Sequence, residues 1–522
     1  MTKYFIRDNT GRINGKPVDF EDAVILAGYG KFQRRLLFIS GLCLMAVTIE
    51  LMNIGYVLPA AHCDLELTSV NKGIINAVIF VGMMVSSHAW GLLADTRGRK
   101  YIIILALLLN YLCTIASSFS FSIWMLLVLR FLNGVFICCP AAVMYAYLGE
   151  FHSGVTQTRA IVSAHAFTSL GAVVLPGLAW LVIPQPWSYQ TSHYTYSSWR
   201  LFQLMCVVPG LVSAALVLFR LPESPRFLLA RGRPRDALRV LQRVFTDNSG
   251  CRADQYPVTA LLPDPQRSIC RSTGDGSKPM FVRYMWNQTW PLFVSPHLTN
   301  IMLLSLLQFG LFVCESGLLW MPGLFSQLAQ FSSRNPEAWY ATCDMVQQMR
   351  DTSNETGISQ AVLTCSSTLA DDVYRYTLIM AGAATVACIL AVRIIDLLGK
   401  KLVLFTSLLV CGSAGIAMHF ASDTRHIVAL GCVFAALSST SVGVVSSTAV
   451  QVFPTNLRAM ALCISLMMGR LATLASSVLM EFILEADCNY LFFALGGTAI
   501  ICGFLSLLLP AHSTSLPPTL MT

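Results

Sequence analysis

Charge is what this chain has least of. Of its 522 residues only 12% are Asp, Glu, Lys or Arg, against about 25% in an ordinary soluble domain. So sparse a supply cannot coat a water-soluble surface of this size, which excludes a soluble globular protein. Nucleophile elbows, phosphate-binding loops and metal-ligand spacings are missing too, so neither an enzyme nor a cofactor or metal is expected. Residues 1–30 are polar and of mixed charge and carry no secretory signal, so the first apolar run, from Leu36, is expected to act as its own insertion signal. The net charge of +8 does not mark a nucleic-acid binder. The cations sit in short loops between apolar runs rather than along one soluble face.

What is present is apolar sequence: 55% of the residues, with a mean hydropathy of +0.62. The pattern predicts an all-α polytopic membrane protein with twelve transmembrane helices, at about residues 36–59, 74–94, 101–120, 122–147, 160–183, 200–221, 298–322, 376–397, 401–421, 427–450, 457–480 and 490–510. The organisation expected is a cytoplasmic segment 1–35, a six-helix bundle 36–221, a central loop 222–297, a second six-helix bundle 298–510 and a tail 511–522. Lys and Arg concentrate in alternate loops (Arg97, Arg99, Lys100, Arg159, the central loop, Arg393, Lys400, Lys401, Arg458), which predicts that both termini are cytoplasmic.

Two loops are long. The central one contains RGRPRDALRVLQRVF (231–245), a basic amphipathic helix expected to lie along the membrane surface. The outer loop 323–375 carries the sequon Asn354-Glu-Thr, a plausible glycosylation site. Most of the seventeen cysteines lie in apolar runs and act as small hydrophobes. Cys63, Cys343, Cys365 and Cys488 fall in outer loops and allow three pairings, of which Cys343 with Cys365 is preferred.

The stretch GLLADTRGRK (91–100) is wedged between two apolar runs and must turn tightly at a membrane face, with Gly91 and Gly98 permitting close packing and a sharp bend. RIIDLLGKK (393–401), with Asp396 and Gly399, repeats it in the second half. The two copies are expected to act as cytoplasmic latches, Asp95 pairing with Arg159 or Arg458 across the half-interface.

Ionisable residues inside a membrane are costly and point to function. Glu50 and Glu315 lie in the first helix of each half, Arg130 in the fourth, His165 in the fifth and Arg470 in the eleventh. One reading is a central cavity in which the two glutamates bind a proton or a cationic substrate, with an arginine as counter-charge. The other is structural ion pairs that fix helix packing. Arg130 is favoured as a buried counter-charge and His165 as a satisfied polar residue.

GLLADTRGRK resembles the signature between helices 2 and 3 of the major facilitator superfamily, and RIIDLLGKK its second copy. PESPR (222–226), Glu150 with Arg159, and FPTNLR (453–458) resemble further signatures of that group. GYGKFQRRLLF (28–38), ELMNIGYVLPA (50–60), SVNKGIINAVIFVGMMV (69–85), SSWRLF (197–202) and LPESPRFLL (221–229) are similar to the synaptic vesicle glycoprotein 2 family. The resemblance implies two pseudo-symmetric six-helix bundles and alternating access around a central site that includes Trp180 and Arg470. It implies a small polar organic solute, sugar-like or ionic, moved by uniport or with a proton or other cation, and a monomer in the bilayer of the plasma membrane or a vesicle. The alternative is a weakly transporting or non-transporting membrane protein that regulates trafficking or acts as a receptor. Three departures stand out: Val47 replaces the usual helix 1 Asp, Gln451 replaces an acidic residue before FPTNLR, and Val442 stands where a second tryptophan belongs.

Overall fold

The structure, a computed structural model, describes residues 17–62, 64–65, 67–185, 189–190, 195–262, 289–295, 297–334, 343, 371–453, 458–486 and 489–509. Among these the chain is almost wholly helical, apart from short 3₁₀ turns and a two-residue ribbon, β1 (Tyr189–Gln190) with β2 (Thr195–Tyr196). The first half holds α1 (Phe20–Leu26), α2 (Lys31–Met52), α3 (Ile54–Ala60), α4 (Ser69–Arg97), α5 (Arg99–Ser118), α6 (Ile123–Gly149), α7 (Gly154–Val182) and α8 (Ser198–Arg220). Then come α9 (Pro225–Ala230) and α10 (Pro234–Ser249). The second half holds α11 (Leu298–Arg334), α12 (Asp371–Leu398), α13 (Lys400–Ala417), α14 (Thr424–Val452), α15 (Arg458–Ala486) and α16 (Asn489–Ser506).

With α2 and α3 counted as one crossing, eleven of these helices are long and apolar enough to span a bilayer, and α16 is a shorter apolar helix at the place of the twelfth. Several run past the ends expected from hydropathy. α7 starts at Gly154 rather than near 160, α11 continues to Arg334, and α12 begins at Asp371. Hydropathy stops where polar residues begin, whereas the i to i−4 hydrogen bonds continue through them.

The halves repeat one packing scheme. In the first, the first crossing packs on α7 and α8, α4 on α6, and α5 on α6 and α8. In the second, α11 packs on α15 and α16, α12 on α14, and α13 on α14 and α16. The halves meet through two equivalent pairs, α4 with α15 and α7 with α12. Within the first half α4 and α6 approach closely because small residues lie at their contact: a Cβ on Gly134 would lie 2.0 Å from the Ile79 carbonyl oxygen, and one on Gly82 2.3 Å from that of Phe131.

The basic amphipathic helix is not laid on the membrane by its apolar face. In α10, Ala237, Leu241 and Val244 are buried in the same cluster as Phe32 and Leu36 of α2, so protein covers the stripe that was expected to meet lipid. α10 and the segment after it clasp the N-terminal segment. Val18 N–H donates to Ala260 O at 3.0 Å, Leu262 N–H to Val18 O at 2.9 Å, and Tyr256 Oη to Ala23 O at 2.6 Å. Asn248 caps the junction, accepting from Phe32 N–H at 3.0 Å and donating to the carbonyls of Ala27 and Gly28. Arg35 pairs with Asp247. The result is a small cap on the face where Arg97, Arg99 and Lys100 lie, hereafter the basic face.

His152, between α6 and α7 on this face, gives the fold a pH dependence. Its Nδ1–H donates to Leu148 O at 2.8 Å, and its buried Nε2 has no hydrogen-bond partner among the described residues. Burial holds the imidazole below its ordinary pKa. A base whose folded pKa is depressed binds more protons unfolded, so its stabilisation is present above the unfolded value, about 6.5, and lost as the pH falls. Melting in detergent is expected to weaken between pH 7.5 and 5, and His152→Gln should flatten that slope; an unchanged slope would assign it to other groups.

Candidate functional site

Between the halves lies a chamber of about 260 Å³. Both halves contribute to its wall. Val47, Leu51, Tyr56, Tyr145 and His165 come from the first, and Phe312, Glu315, Met380, Val442 and Arg470 from the second. The wall is mostly aliphatic, with scattered hydroxyls. Two charged groups interrupt it, Glu315 and Arg470. Glu315 Oε1 accepts a hydrogen bond from Ser438 Oγ at 2.8 Å. The Arg470 guanidinium sits over the Phe312 ring, 5.1 Å from its centroid. Tyr145 Oη lies 3.4 Å from His165 Nδ1, and the His165 ring packs against Gly443 of α14.

Cross-half contacts occur on both sides of the chamber, because α7 and α12 run antiparallel along its edge. At the end away from the basic face, Trp180 of α7 stacks on Tyr374 of α12 (6.4 Å, 7°), and Tyr374 stacks on Tyr56 (6.1 Å, 13°). Trp180 Nε1–H donates to Asp371 Oδ1 at 3.1 Å, and Tyr56 Oη to Thr377 Oγ1 at 3.3 Å. Mid-way, the Ser169 and Ser439 hydroxyls are 3.0 Å apart. At the basic face Arg159 pairs with Asp396 at 3.2 Å and Lys400 Nζ donates to Thr158 Oγ1 at 3.1 Å. Arg159 and Asp396 are 54% and 32% exposed, so the pair is worth about 0–1 kcal/mol. A contact that weak can open readily.

Glu50 and Arg130 do not line the chamber. They form a buried ion pair inside the first half, 3.7 Å apart and 0% and 1% exposed. Thr114 Oγ1 and Asn133 Nδ2 donate to Glu50 Oε1 at 2.8 and 2.9 Å. Arg130 donates to Glu50 O at 3.3 Å and to Asn53 Oδ1, where α2 gives way to α3. Of the two readings of the intramembrane charges, this geometry is the structural ion pair. Trp180 likewise belongs to the ring stack at one end rather than to the chamber wall.

On the basic face the first signature is tied to its own half. Glu150 pairs with Arg99 at 3.1 Å, not with Arg159. Glu223 Oε1 accepts from the backbone N–H groups of Arg99 and Lys100 at 3.0 and 3.2 Å, and Ser224 Oγ donates to Glu150. PESPR thus closes on the turn that opens α5. Gly98 has φ 106° and Gly399 φ 80°, so the two turns are built alike. They differ in surroundings: a Cβ on Gly98 would lie 2.6 Å from Glu223 Oε2, while nothing lies within 4 Å of one on Gly399. Left-handed strain costs about 1–3 kcal/mol at a non-glycine residue. Gly98→Ala is therefore expected to lower the melting temperature more than Gly399→Ala; equal shifts would mean that Glu223 does not seal the turn. Gly91 approaches the other half, where a Cβ would lie 3.7 Å from Cys463 Sγ. The side chains of Asp95 and Arg458, and residues Asn354 and Cys365, lie outside what the structure describes. Cys343 is disulfide-bonded.

Residues 36–343, more than half the chain, match the Major Facilitator Superfamily. This chain belongs to the major facilitator superfamily. Within that superfamily it is 36% identical to synaptic vesicle glycoprotein 2A of Rattus norvegicus over 240 residues, 46% of this chain and 32% of the relative. It is 29% identical to synaptic vesicle glycoprotein 2B of Mus musculus over 321 residues, 58% of this chain and 47% of the relative. The matched regions thus span less than half of those relatives. Solved major facilitator structures share the fold at 14% identity: the xylose transporter XylE from E. coli (TM-score 0.62, 91% of this chain and 98% of that one) and the human organic anion transporter MFSD10 (TM-score 0.60, 91% and 99%).

Sequence reasoning missed Tyr56, Tyr374 and Asp371 at the end away from the basic face, and Glu223 at the turn. A tyrosine in an apolar helix gives only a faint signal, a ring with one polar atom to satisfy. Glu223 stood in a motif already singled out, and its two backbone partners lie more than 120 residues earlier.

Proposed function

We propose that this chain moves a small organic solute across a bilayer by alternating access, the two six-helix halves rocking about the chamber. The observation that carries this reading is one chamber walled by both halves with cross-half contacts on either side of it. Opening either end requires breaking only one set of those contacts. The excess of Lys and Arg at the basic face supports a cytoplasmic side there, with both termini inside. A plasma membrane or vesicle location fits equally.

The chamber volume lies below the roughly 300–1,000 Å³ of sites for drug-sized ligands, which suits a metabolite. Coupling, where it exists, rests on Glu315, because Glu50 is already neutralised by Arg130 and Val47 lines the wall where relatives of this type carry a carboxylate. The contact of Arg159 with Asp396 acts as the latch at the basic face, with Asp95 and Arg458 its symmetry-related counterparts. The competing reading, a trafficking regulator or receptor with little transport, draws on the synaptic vesicle relatives and on that missing carboxylate.

Purified protein in liposomes should exchange members of a labelled metabolite panel. Ala381→Trp, which places an indole in the chamber, should abolish exchange while the protein still elutes as a folded monomer. Exchange that survives Ala381→Trp, or no exchange of any solute with and without a pH gradient, would overturn the transport reading.

A further inference from the structure

The two chamber charges differ from the buried pair in the first half. Deep in the first half, Glu50 and Arg130 meet each other and are ringed by amide and hydroxyl donors. Among the described residues, Glu315 has a single hydroxyl partner and no cation within ion-pair distance, and Arg470 has no carboxylate within that distance. Both nevertheless line the same chamber. Phe312 and Glu315 lie three residues apart on α11, about one turn or 4.5 Å of rise, and Arg470 sits over the Phe312 ring. A negative and a positive group thus line one largely aliphatic chamber, and no ion pair joins them among the described residues.

An uncompensated charge in a membrane interior is expensive. Each charge here needs an opposite one, and short of a proton on Glu315 the occupant of the chamber must supply it. A monocation would satisfy Glu315 and leave Arg470 facing a like charge. A monoanion would do the reverse. A neutral sugar would compensate neither. We infer that the chamber takes an amphipathic zwitterion, an organic molecule with an ammonium group for Glu315, an anionic group for Arg470 and an apolar body against Phe312, Leu51, Met380 and Leu466. This inference rests on the transport reading for its movement across the membrane, though not for binding.

The test uses probes that share a phenyl body and differ in charge: L-phenylalanine, 3-amino-3-phenylpropanoate and 4-amino-3-phenylbutanoate as zwitterions of increasing spacing, phenethylamine as cation, 3-phenylpropanoate as anion, and D-glucose as the neutral sugar. Binding is read by ligand-induced melting shifts in detergent and movement by counterflow in liposomes. At least one zwitterion should bind about tenfold more tightly than either singly charged probe and than glucose. Arg470→Gln should remove its advantage over phenethylamine, and Glu315→Gln its advantage over 3-phenylpropanoate, with each variant's elution profile showing it folded. Arg470→Lys, which keeps the charge, should retain the preference. Glucose or a singly charged probe binding as tightly as every zwitterion, no probe binding at all, or the glutamine variants leaving the preference unchanged would overturn the inference. Zwitterion binding without counterflow would uphold it and overturn transport instead. Counterflow of glucose alone would uphold transport and overturn the zwitterion.

Discussion

Glu50→Leu is expected to destabilise the first half by about 3–5 kcal/mol, the usual cost of stranding one member of a buried ion pair. The cost arises from what stays behind. Arg130 is 1% exposed and cannot shed its proton, so its charge would remain in an apolar bundle with only the Glu50 and Asn53 oxygens as acceptors. Arg130→Met should cost less. The stranded Glu50 can take up a proton and keeps donors from Thr114 and Asn133. The double variant should recover most of the loss, since apolar side chains of similar volume often replace a buried pair without penalty. Melting of the four proteins in detergent decides the matter. Arg130→Met as damaging as Glu50→Leu, or a double variant worse than both, would show that the pair does not carry this energy.

Tyr374→Ala should produce the second large effect, at the end of the chamber away from the basic face. Tyr374 is the middle ring of the stack with Tyr56 and Trp180 and is fully buried. Its loss removes both ring pairs at once. Each is worth about 0.5–1.5 kcal/mol beyond area burial, so the balance between closed and open should shift by roughly 1–3 kcal/mol, or about 5- to 150-fold in population. The hydrogen bonds of Trp180 with Asp371 and of Tyr56 with Thr377 would remain, which keeps the variant folded. A cysteine placed at Ala381, in a background without other reactive thiols, reports the change through its labelling by a membrane-impermeant thiol reagent. A rate unaltered by Tyr374→Ala would mean that the stack does not hold this end shut.

These residues also mark how far the sequence could be read. Length and apolarity are properties of a segment, so the crossings and the twinned turns at Gly98 and Gly399 were legible from the chain alone. The intramembrane charges were legible as well, because any Glu or Arg in an apolar run stands out. Their partners were not. Glu50 finds Arg130 across 80 positions, Arg159 finds Asp396 of the second-half turn, and Trp180 finds Tyr374 on the opposite half. Such pairings depend on which helices become neighbours, and hydropathy carries no information on that. The stripe of α10 failed for a related reason: an apolar face on a basic helix reads the same whether lipid or protein covers it.

The cap of α10 and the N-terminal segment has a mechanical consequence. The hydrogen bonds and the Arg35 ion pair that secure it all run to the first half, so the cap travels with that half as one solid piece. A spin label at residue 17 would then act as a rigid pointer fixed to the first half. Its distance to a second label near Lys401 would report the swing between the two bodies without disturbing the chamber. One half carries this ballast on the basic face, and the proposed rocking can be measured as movement of the other against it.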